Sequence, residues 1–187
     1  MNIMENKKKL SVVGIGYVGL PLAISLSKFY NVVAFDLDKS RILNLKKNND
    51  YTNEFSSAEI KRAKNIKFSN NDNDLLKSNV FFITVPTPIN KKNKPDLSYL
   101  IRATSLVAKN LNKGSIVVYE STVYPGCTEE ICLPILEKTS KLKVNRDFSL
   151  AYSPERINPG KSKYKLKNTV KVIGSSNLKS LNILDKI

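Results

Sequence analysis

With 187 residues, the chain is long enough for one domain with its own hydrophobic core and too short for two large domains. Hydrophobic residues make up 41% and charged residues 25%, which excludes fibrous and disordered classes, and no apolar run approaches the roughly 20 residues of a membrane-spanning helix. The formal net charge of +15 is carried by scattered lysines without interleaved aromatic residues, so we expect a solvated basic surface that favours anionic substrates, and no nucleic-acid partner.

Short β-branched runs alternate with stretches of helical periodicity along the whole chain. Strands are predicted at 10–14, 31–36, 66–68, 79–85, 115–119, 148–152 and 170–173. Helices are predicted at 18–29, 38–47, 56–63, 72–77, from 96 or 97 to 110, and at 128–137. Ser56 and Glu59 have the spacing of a capping box at one helix start. This alternation predicts an α/β Rossmann fold, a doubly wound and mostly parallel sheet with helices on both faces. We expect residues 1–187 to form a single domain with its core at about 9–175, followed at 177–187 by the start of a helix that leads onward.

The turn after the first strand has the spacing Gly14-x-Gly16-x-x-Gly19. Such a triplet alone is weak evidence, but here a strand precedes it, a helix follows it, and Asp36 ends the next strand about 20 residues downstream. In a turn of this kind the first glycine permits a tight bend, the second lets the backbone approach a pyrophosphate, and the third lets helix and strand pack closely. Amides at the helix N-terminus then face the anion, so the pattern predicts a dinucleotide site.

Asp36 also indicates which dinucleotide is bound. A carboxylate at this position accepts hydrogen bonds from ribose hydroxyls and repels the 2′-phosphate of NADP. Arg41, one helical turn into the next helix, is expected on the adenosine side and weakens this argument, because arginine is the usual partner of a 2′-phosphate. NAD is the predicted cofactor.

Three more loops follow predicted strands, at the end where an open α/β sheet binds its ligands. They read Val85-Pro-Thr-Pro88, Glu120-Ser-Thr-Val-Tyr-Pro-Gly126 and Tyr152-Ser-Pro-Glu-Arg-Ile-Asn-Pro-Gly160. Together with the glycine turn, they make the chain resemble the N-terminal domain of the UDP-glucose/GDP-mannose dehydrogenase family. Members that act on UDP-glucose usually carry a second glutamate where this chain has Pro159, so the resemblance favours the branch that oxidises UDP-N-acetylhexosamines for capsule or O-antigen synthesis.

The resemblance implies a reaction and a set of site residues. Family members oxidise the C6 alcohol of a sugar nucleotide to a carboxylate with two NAD, through thiohemiacetal and thioester intermediates on a cysteine. The implied residues are Tyr17 and Val18 at the pyrophosphate turn, Asp36 and Arg41 at the adenosine, Thr87 and Thr122 at the nicotinamide, Thr122 and Glu155 for holding water and assisting thioester hydrolysis, and Glu155, Arg156 and Asn158 on the UDP-sugar. The competing interpretations are that the two threonines cap helices or satisfy loop backbone, and that Glu155 forms a surface ion pair with a lysine.

The cysteine that the family reaction needs lies in a C-terminal domain beyond the region of resemblance. Cys127 and Cys132 have neither a disulfide nor a zinc spacing, and we interpret both as small structural residues of a cytoplasmic protein. Histidine is absent, which removes the usual general base and the usual metal ligand, so no metal site is predicted.

The chain alone is therefore expected to be inactive and to need its C-terminal domain or a second chain, as an excised domain, a disrupted reading frame or half of a split enzyme would. Full-length members are expected to be homo-oligomers. Three alternatives stay open: an inactive NAD-binding or interaction module, a fragment of a UDP-glucose 6-dehydrogenase, and a nucleic-acid binder driven by the positive charge.

Overall fold

The computed structural model describes residues 8–155 and 170–187. Its strands are β1 (Lys9–Val13), β2 (Asn31–Phe35), β3 (Ile66–Ser69), β4 (Val80–Ile83), β5 (Ile116–Tyr119), β6 (Ser149–Tyr152) and β7 (Gly174–Ser175). They form one sheet in the order β3-β2-β1-β4-β5-β6-β7, in which the first six strands are parallel and β7 is antiparallel to β6. The order reverses between β1 and β4, which is the switch point of a doubly wound sheet. The predicted Rossmann fold is confirmed.

The helices connect these strands across both faces. They are α1 (Gly19–Leu26), α2 (Lys39–Lys46), α3 (Ser57–Arg62), α4 (Ser98–Lys109), α5 (Leu133–Ser140) and α6 (Leu178–Leu184), with a 3₁₀ turn at Asp72–Leu75 and a π-helical turn at Thr128–Cys132. The predicted capping box is present, because the Ser56 hydroxyl accepts from the Glu59 amide while the Glu59 carboxylate accepts from the Ser56 amide at 2.9 Å. The predicted helix at 128–137 begins with the π-helical turn and continues as α5.

The sheet is buried on both faces, which explains why its strands are almost continuously apolar. On one face Val12, Ala34 and Phe82 pack among residues of α1, α2, α3 and α6. On the other face Phe35 and Phe81 pack among residues of α4 and α5. Two hydrophobic clusters therefore fix the sheet, and the loops at the carboxyl ends of β1, β2, β4, β5 and β6 are brought to one edge.

The predicted strand at 170–173 is wrong. The segment that pairs with β6 is Gly174–Ser175, through Tyr152 with Gly174 and Ala151 with Ser175. Val170 and Val172 are 81% and 54% exposed. A β-branched run predicts a strand only where a neighbouring strand is within reach, and the register with β6 begins after this run has ended.

Candidate cofactor and substrate site

The glycine turn lies between β1 and α1, at the switch point of the sheet. Gly14 has φ +97°. A Cβ there would lie 2.8 Å from Cγ1 of Val85, the second residue after β4. A Cβ on Gly19 would overlap the carbonyl oxygen of Gly14. The packing of the chain itself therefore requires glycine at both positions.

Gly16 differs from the other two glycines, because a Cβ added there would meet nothing within 4 Å. The open space beside it is where a pyrophosphate can approach the backbone. The N-cap of α1, Val18, makes no side-chain hydrogen bond, and the first turn holds no acidic residue. Leu20 already donates its N–H to the Gly16 carbonyl, and Pro21 has no N–H. It is therefore the positive end of the helix dipole, beside the open space at Gly16, that fits the pyrophosphate of a dinucleotide. Tyr17 is 54% exposed beside this position.

Asp36, directly after β2, is fixed by two backbone amides. Its Oδ2 accepts a hydrogen bond from the Ile15 N–H at 2.7 Å, and its Oδ1 accepts one from the Asp38 N–H at 2.9 Å. A carboxylate has about four lone-pair directions, so these two bonds leave capacity for ribose hydroxyls. The side chain is half-buried at the rim of the glycine turn, where the sequence analysis expected a ribose ligand.

Arg41 lies against the same turn from inside the protein. Its Nε donates to the Ile15 carbonyl at 2.8 Å, its Nη1 donates to Asp50 Oδ1 at 2.7 Å, and the Tyr51 ring centroid lies 4.2 Å from the guanidinium carbon. The arginine is only 1% exposed. The structure thus gives Arg41 a supporting contact to the turn, and the contact with adenosine stays a prediction.

Two residues that the sequence analysis did not single out complete the turn. Thr84, which follows β4, donates from Oγ1 to the Gly14 carbonyl at 2.7 Å. Asp50 holds Arg41, although it lies in an asparagine-rich stretch that carries no recognisable pattern. A threonine at the end of an apolar strand beside a glycine turn was the available signal for Thr84. No signal was available for Asp50.

Hydrogen bonds join the loops after β4 and β5. Thr87 Oγ1 donates to the Thr122 carbonyl at 2.5 Å, and Ser121 Oγ donates to the Val85 carbonyl at 2.6 Å. The two threonines predicted on the nicotinamide side are therefore neighbours, with Thr122 exposed and Thr87 half-buried. The Thr87 hydroxyl donates its proton in this bond, which supports the competing interpretation that Thr87 stabilises the loop. The hydroxyl oxygen can still accept a hydrogen bond.

A buried ion pair lies next to these loops. Lys171 Nζ is 2.5 Å from Glu120 Oε2, and the side chains are 25% and 3% exposed. Burial raises the pKa of Glu120, Lys171 opposes this, and the nearby charge of Glu155 raises it further. Glu155, which follows β6 and is half-buried, therefore lies close enough to Glu120 for the two carboxylates to interact.

Glu120 and Lys171 form the polar end of a cavity of about 210 Å³ between α1 and α6. Its walls are mostly apolar and include Leu22, Phe29 and Leu184. At the same end the Ser153 hydroxyl is buried and has no hydrogen-bond partner within residues 8–155 and 170–187. The cavity is thus apolar along its length and polar toward the edge of the sheet that carries Glu155.

The remaining predicted site residues, Arg156 and Asn158, lie outside the described residues. Cys127 and Cys132 are free and fully buried. Burial raises the pKa of both thiols, that of Cys132 to about 11, so neither is a thiolate at neutral pH. This agrees with the interpretation of both as structural residues.

Residues 8–155 and 170–187 contain neither a metal cluster nor a membrane-spanning helix. No group of three or more cysteine, aspartate or glutamate side chains there is arranged to hold a metal ion. None of the helices in residues 8–155 and 170–187 is both long enough and apolar enough to cross a membrane.

Comparison with known proteins identifies the family of this domain. The sequence model of the UDP-glucose/GDP-mannose dehydrogenase family, NAD binding domain, matches residues 8–187. The chain belongs to this family. The matched model is that of an NAD-binding domain, so the predicted cofactor is confirmed, and the assignment of its pyrophosphate to the glycine turn stays a prediction.

Relatives within the family include several named for acetylated sugar nucleotides. UDP-N-acetyl-D-glucosamine 6-dehydrogenase of Pseudomonas aeruginosa is 48% identical over 179 residues, which cover 96% of this chain and 42% of the relative. Protein CapL of Staphylococcus aureus is 47% identical over 177 residues, 95% of this chain and 42% of that protein. The solved UDP-D-ManNAc dehydrogenase of Pyrococcus horikoshii superposes with a TM-score of 0.87 at 34% identity, over 95% of this chain and 43% of that one. The chain thus spans less than half the length of these relatives.

Proposed function

We propose that the chain is the NAD-binding part of a nucleotide-sugar 6-dehydrogenase that oxidises the C6 alcohol of a UDP-N-acetylhexosamine to the uronic acid with two NAD. The observation that carries the proposal is the joining of the β4 and β5 loops, through Thr87 and Thr122, beside the glycine turn and at the edge that also holds Glu155. Relatives named for UDP-N-acetyl-D-glucosamine and UDP-N-acetyl-D-mannosamine, at 48% and 37% identity, support the acetylated substrate class.

On the cofactor side, the residues around the glycine turn bind and position NAD. The glycine turn and the positive end of the α1 dipole bind the pyrophosphate, and Asp36 accepts from the adenosine ribose while holding the turn through Ile15. Thr87 and Thr122 border the nicotinamide end. When bound there, NAD supplies the hydride acceptor. Arg41 supports the turn from inside through the Ile15 carbonyl.

On the substrate side, the chain offers a carboxylate rather than a nucleophile. Glu155 accepts a proton from a water that the Thr122 hydroxyl helps to orient, and Arg156 and Asn158 contact the UDP-sugar. The buried, protonated thiols of Cys127 and Cys132 do not suit attack on a sugar aldehyde. The cysteine nucleophile is therefore assigned to sequence that the longer relatives have in addition, in this protein's own C-terminal domain or in a second chain.

Calorimetric titration of the chain with NAD and NADP tests the cofactor half of the proposal. We expect saturable NAD binding, with NADP at least about tenfold weaker because the Asp36 carboxylate repels a 2′-phosphate. A folded chain that does not bind NAD at millimolar concentration would contradict the proposal. Circular dichroism on the same sample shows that the chain is folded.

A chimeric enzyme tests the catalytic half. In it, this chain replaces the matching segment of the Pseudomonas relative, and NADH is followed at 340 nm with UDP-N-acetylglucosamine, UDP-N-acetylmannosamine and UDP-glucose. We expect turnover of an acetylated sugar that falls at least about a hundredfold in Glu155→Gln, as loss of a general base does. The chain alone should give no NADH. Turnover by the chain alone, or a chimera that prefers UDP-glucose, would contradict the assignment.

A further inference from the structure

We propose that Asp50 is a specificity-determining residue of the cofactor site, because it holds Arg41 away from the position of a 2′-phosphate and neutralises its charge. The proposal rests on the glycine turn being the NAD site. It explains how a site with an arginine one helical turn beyond Asp36 selects NAD, although arginine at such a place is the usual partner of NADP.

The carboxylate of Asp50 is fully engaged inside the protein. It is 5% exposed. Its Oδ1 accepts from Arg41 Nη1 at 2.7 Å and from the Thr52 amide at 3.1 Å, and its Oδ2 accepts from the amides of Glu54 and Phe55 at 3.1 and 3.2 Å. The Thr52 hydroxyl adds bonds of 2.7 and 2.8 Å to the two oxygens. Asp50 is therefore held rigidly, and its position sets that of Arg41.

The charge state of Asp50 follows from the same contacts. Burial alone would raise the pKa of Asp50, but the hydrogen bonds from Thr52 and Arg41 outweigh burial and hold the pKa below its ordinary value. The carboxylate is thus ionised at neutral pH. Together, Asp50 and Arg41 form a neutral pair, with side chains 0% and 1% exposed.

Arg41 is confined on three sides. Nε is bonded to the Ile15 carbonyl, Nη1 to Asp50, and the ring of Tyr51 covers the guanidinium plane. Nη2 is buried and has no hydrogen-bond partner among the described residues. To reach a phosphate outside the turn, the guanidinium would have to leave Asp50 and displace Tyr51. The arginine is therefore near the ribose position but is not available to a 2′-phosphate.

The backbone of Ile15 contacts both charged residues. Its N–H is bonded to Asp36 and its C=O to Arg41. The negative charge of Asp36, at the rim, acts directly on a 2′-phosphate, whereas the positive charge of Arg41 is cancelled by Asp50. Removing the charge of Asp50 should leave Arg41 unpaired close to the ribose, and so reduce the preference for NAD.

The variant Asp50→Asn tests this inference in the chain itself, with the dissociation constants of NAD and NADP measured well below the melting temperature. We expect the ratio of the NADP constant to the NAD constant to fall at least about tenfold, equivalent to about 1.4 kcal/mol. A pair that only supports the turn would weaken both cofactors by the same factor, and an unchanged ratio would therefore overturn the proposal. Failure of the wild-type chain to bind NAD would instead contradict the proposed function.

Three further variants keep the test decisive. Asp147→Asn is the matched control: Asp147 is 8% exposed and bonded to Arg146 at 2.7 Å, but it lies at the opposite end of the sheet, before β6. It should leave both constants unchanged. Arg41→Gln combined with Asp50→Asn should restore the wild-type preference, because the effect of Asp50 acts through Arg41. If Asp50→Asn does not fold, Asp50→Ser leaves Arg41 without its carboxylate partner in the same way and should lower the same ratio. An unchanged ratio in this variant would also overturn the proposal.

Discussion

Asp36 accepts a hydrogen bond from the backbone N–H of Ile15 at 2.7 Å, so the carboxylate expected to bind the ribose also holds the glycine turn. Cofactor binding and the shape of the turn are therefore coupled through one side chain. A substitution of Asp36 changes both properties, and only a pair of variants separates them.

Asp36→Ala should weaken NAD binding about 10- to 100-fold, because hydrogen bonds to a charged group contribute about 1.5–3 kcal/mol. It should also lower the melting temperature, since the Ile15 amide loses its acceptor. Asp36→Asn keeps an oxygen that can accept from Ile15 and removes the negative charge. We expect a smaller loss of stability than in Asp36→Ala, because only the Asp38 amide loses its acceptor, together with reduced discrimination against NADP. Calorimetry with both cofactors and thermal unfolding check this, and an unchanged NAD affinity in Asp36→Ala would remove Asp36 from the ribose site.

Gly16 and Gly19 should respond differently to the same substitution. Gly16→Ala places a methyl group in open space, so the variant should fold and yet bind NAD at least about tenfold more weakly, because the methyl group occupies the approach to the pyrophosphate. Gly19→Ala forces an overlap with the Gly14 carbonyl and should prevent normal folding. Circular dichroism and NAD titration distinguish the two. Equal NAD affinity in Gly16→Ala and the wild type would contradict this reading of the turn.

Features encoded by neighbouring residues were predicted correctly. The glycine turn and the Ser56–Glu59 capping box depend on contacts within a few residues, so their spacing alone specifies the geometry. The doubly wound, mostly parallel sheet was predicted from the alternation of strands and helices, whereas its strand order was not. The loops after β4 and β5 are neighbours through the sheet, and their role as parts of one site stays a prediction.

Features that depend on tertiary partners were not predicted. The run 170–173 has strand propensity, but pairing with β6 begins at Gly174, and propensity does not specify where a partner strand lies. Arg41 was expected beside the cofactor, and its burial depends on Asp50 and Tyr51 in a polar loop. The Glu120–Lys171 pair joins residues 51 positions apart. Such contacts are set by packing of the whole chain rather than by local pattern.

Cys127 and Cys132 should be unreactive in the folded chain. Both are buried, and the raised pKa of each thiol keeps it protonated at pH 7.5. Labelling with iodoacetamide, read by mass spectrometry, should be slow in native buffer and complete at both positions in urea. Rapid labelling of the native chain would show that one thiol is exposed or activated, and would reopen its assignment as a structural residue.

Glu120 should make a distinct contribution to the pH dependence of stability. Its pKa is raised above 4.5 in the folded chain, mainly by burial, so folding favours the protonated carboxyl. The stabilisation from this proton is fully present below the unfolded value near 4.5 and is lost as the pH rises through the folded value. The lowered pKa values of Asp50 and Asp147 act in the opposite sense, so the contribution of Glu120 appears only as a difference between variants.

Glu120→Gln should remove the pH-dependent contribution of Glu120 to stability while keeping an oxygen that can accept from Lys171. Lys171→Met should instead leave a buried carboxylate without its ion-pair partner, at a cost of about 2–4 kcal/mol at pH 7 that shrinks as the pH falls toward 4.5. Urea unfolding of the three proteins between pH 4.5 and 8 measures both effects. A loss of stability in Lys171→Met that does not depend on pH would mean that the lysine does not act through its charge on Glu120. Its aliphatic stem would then stabilise the fold by packing against Phe29 and Ile173 in the cavity wall.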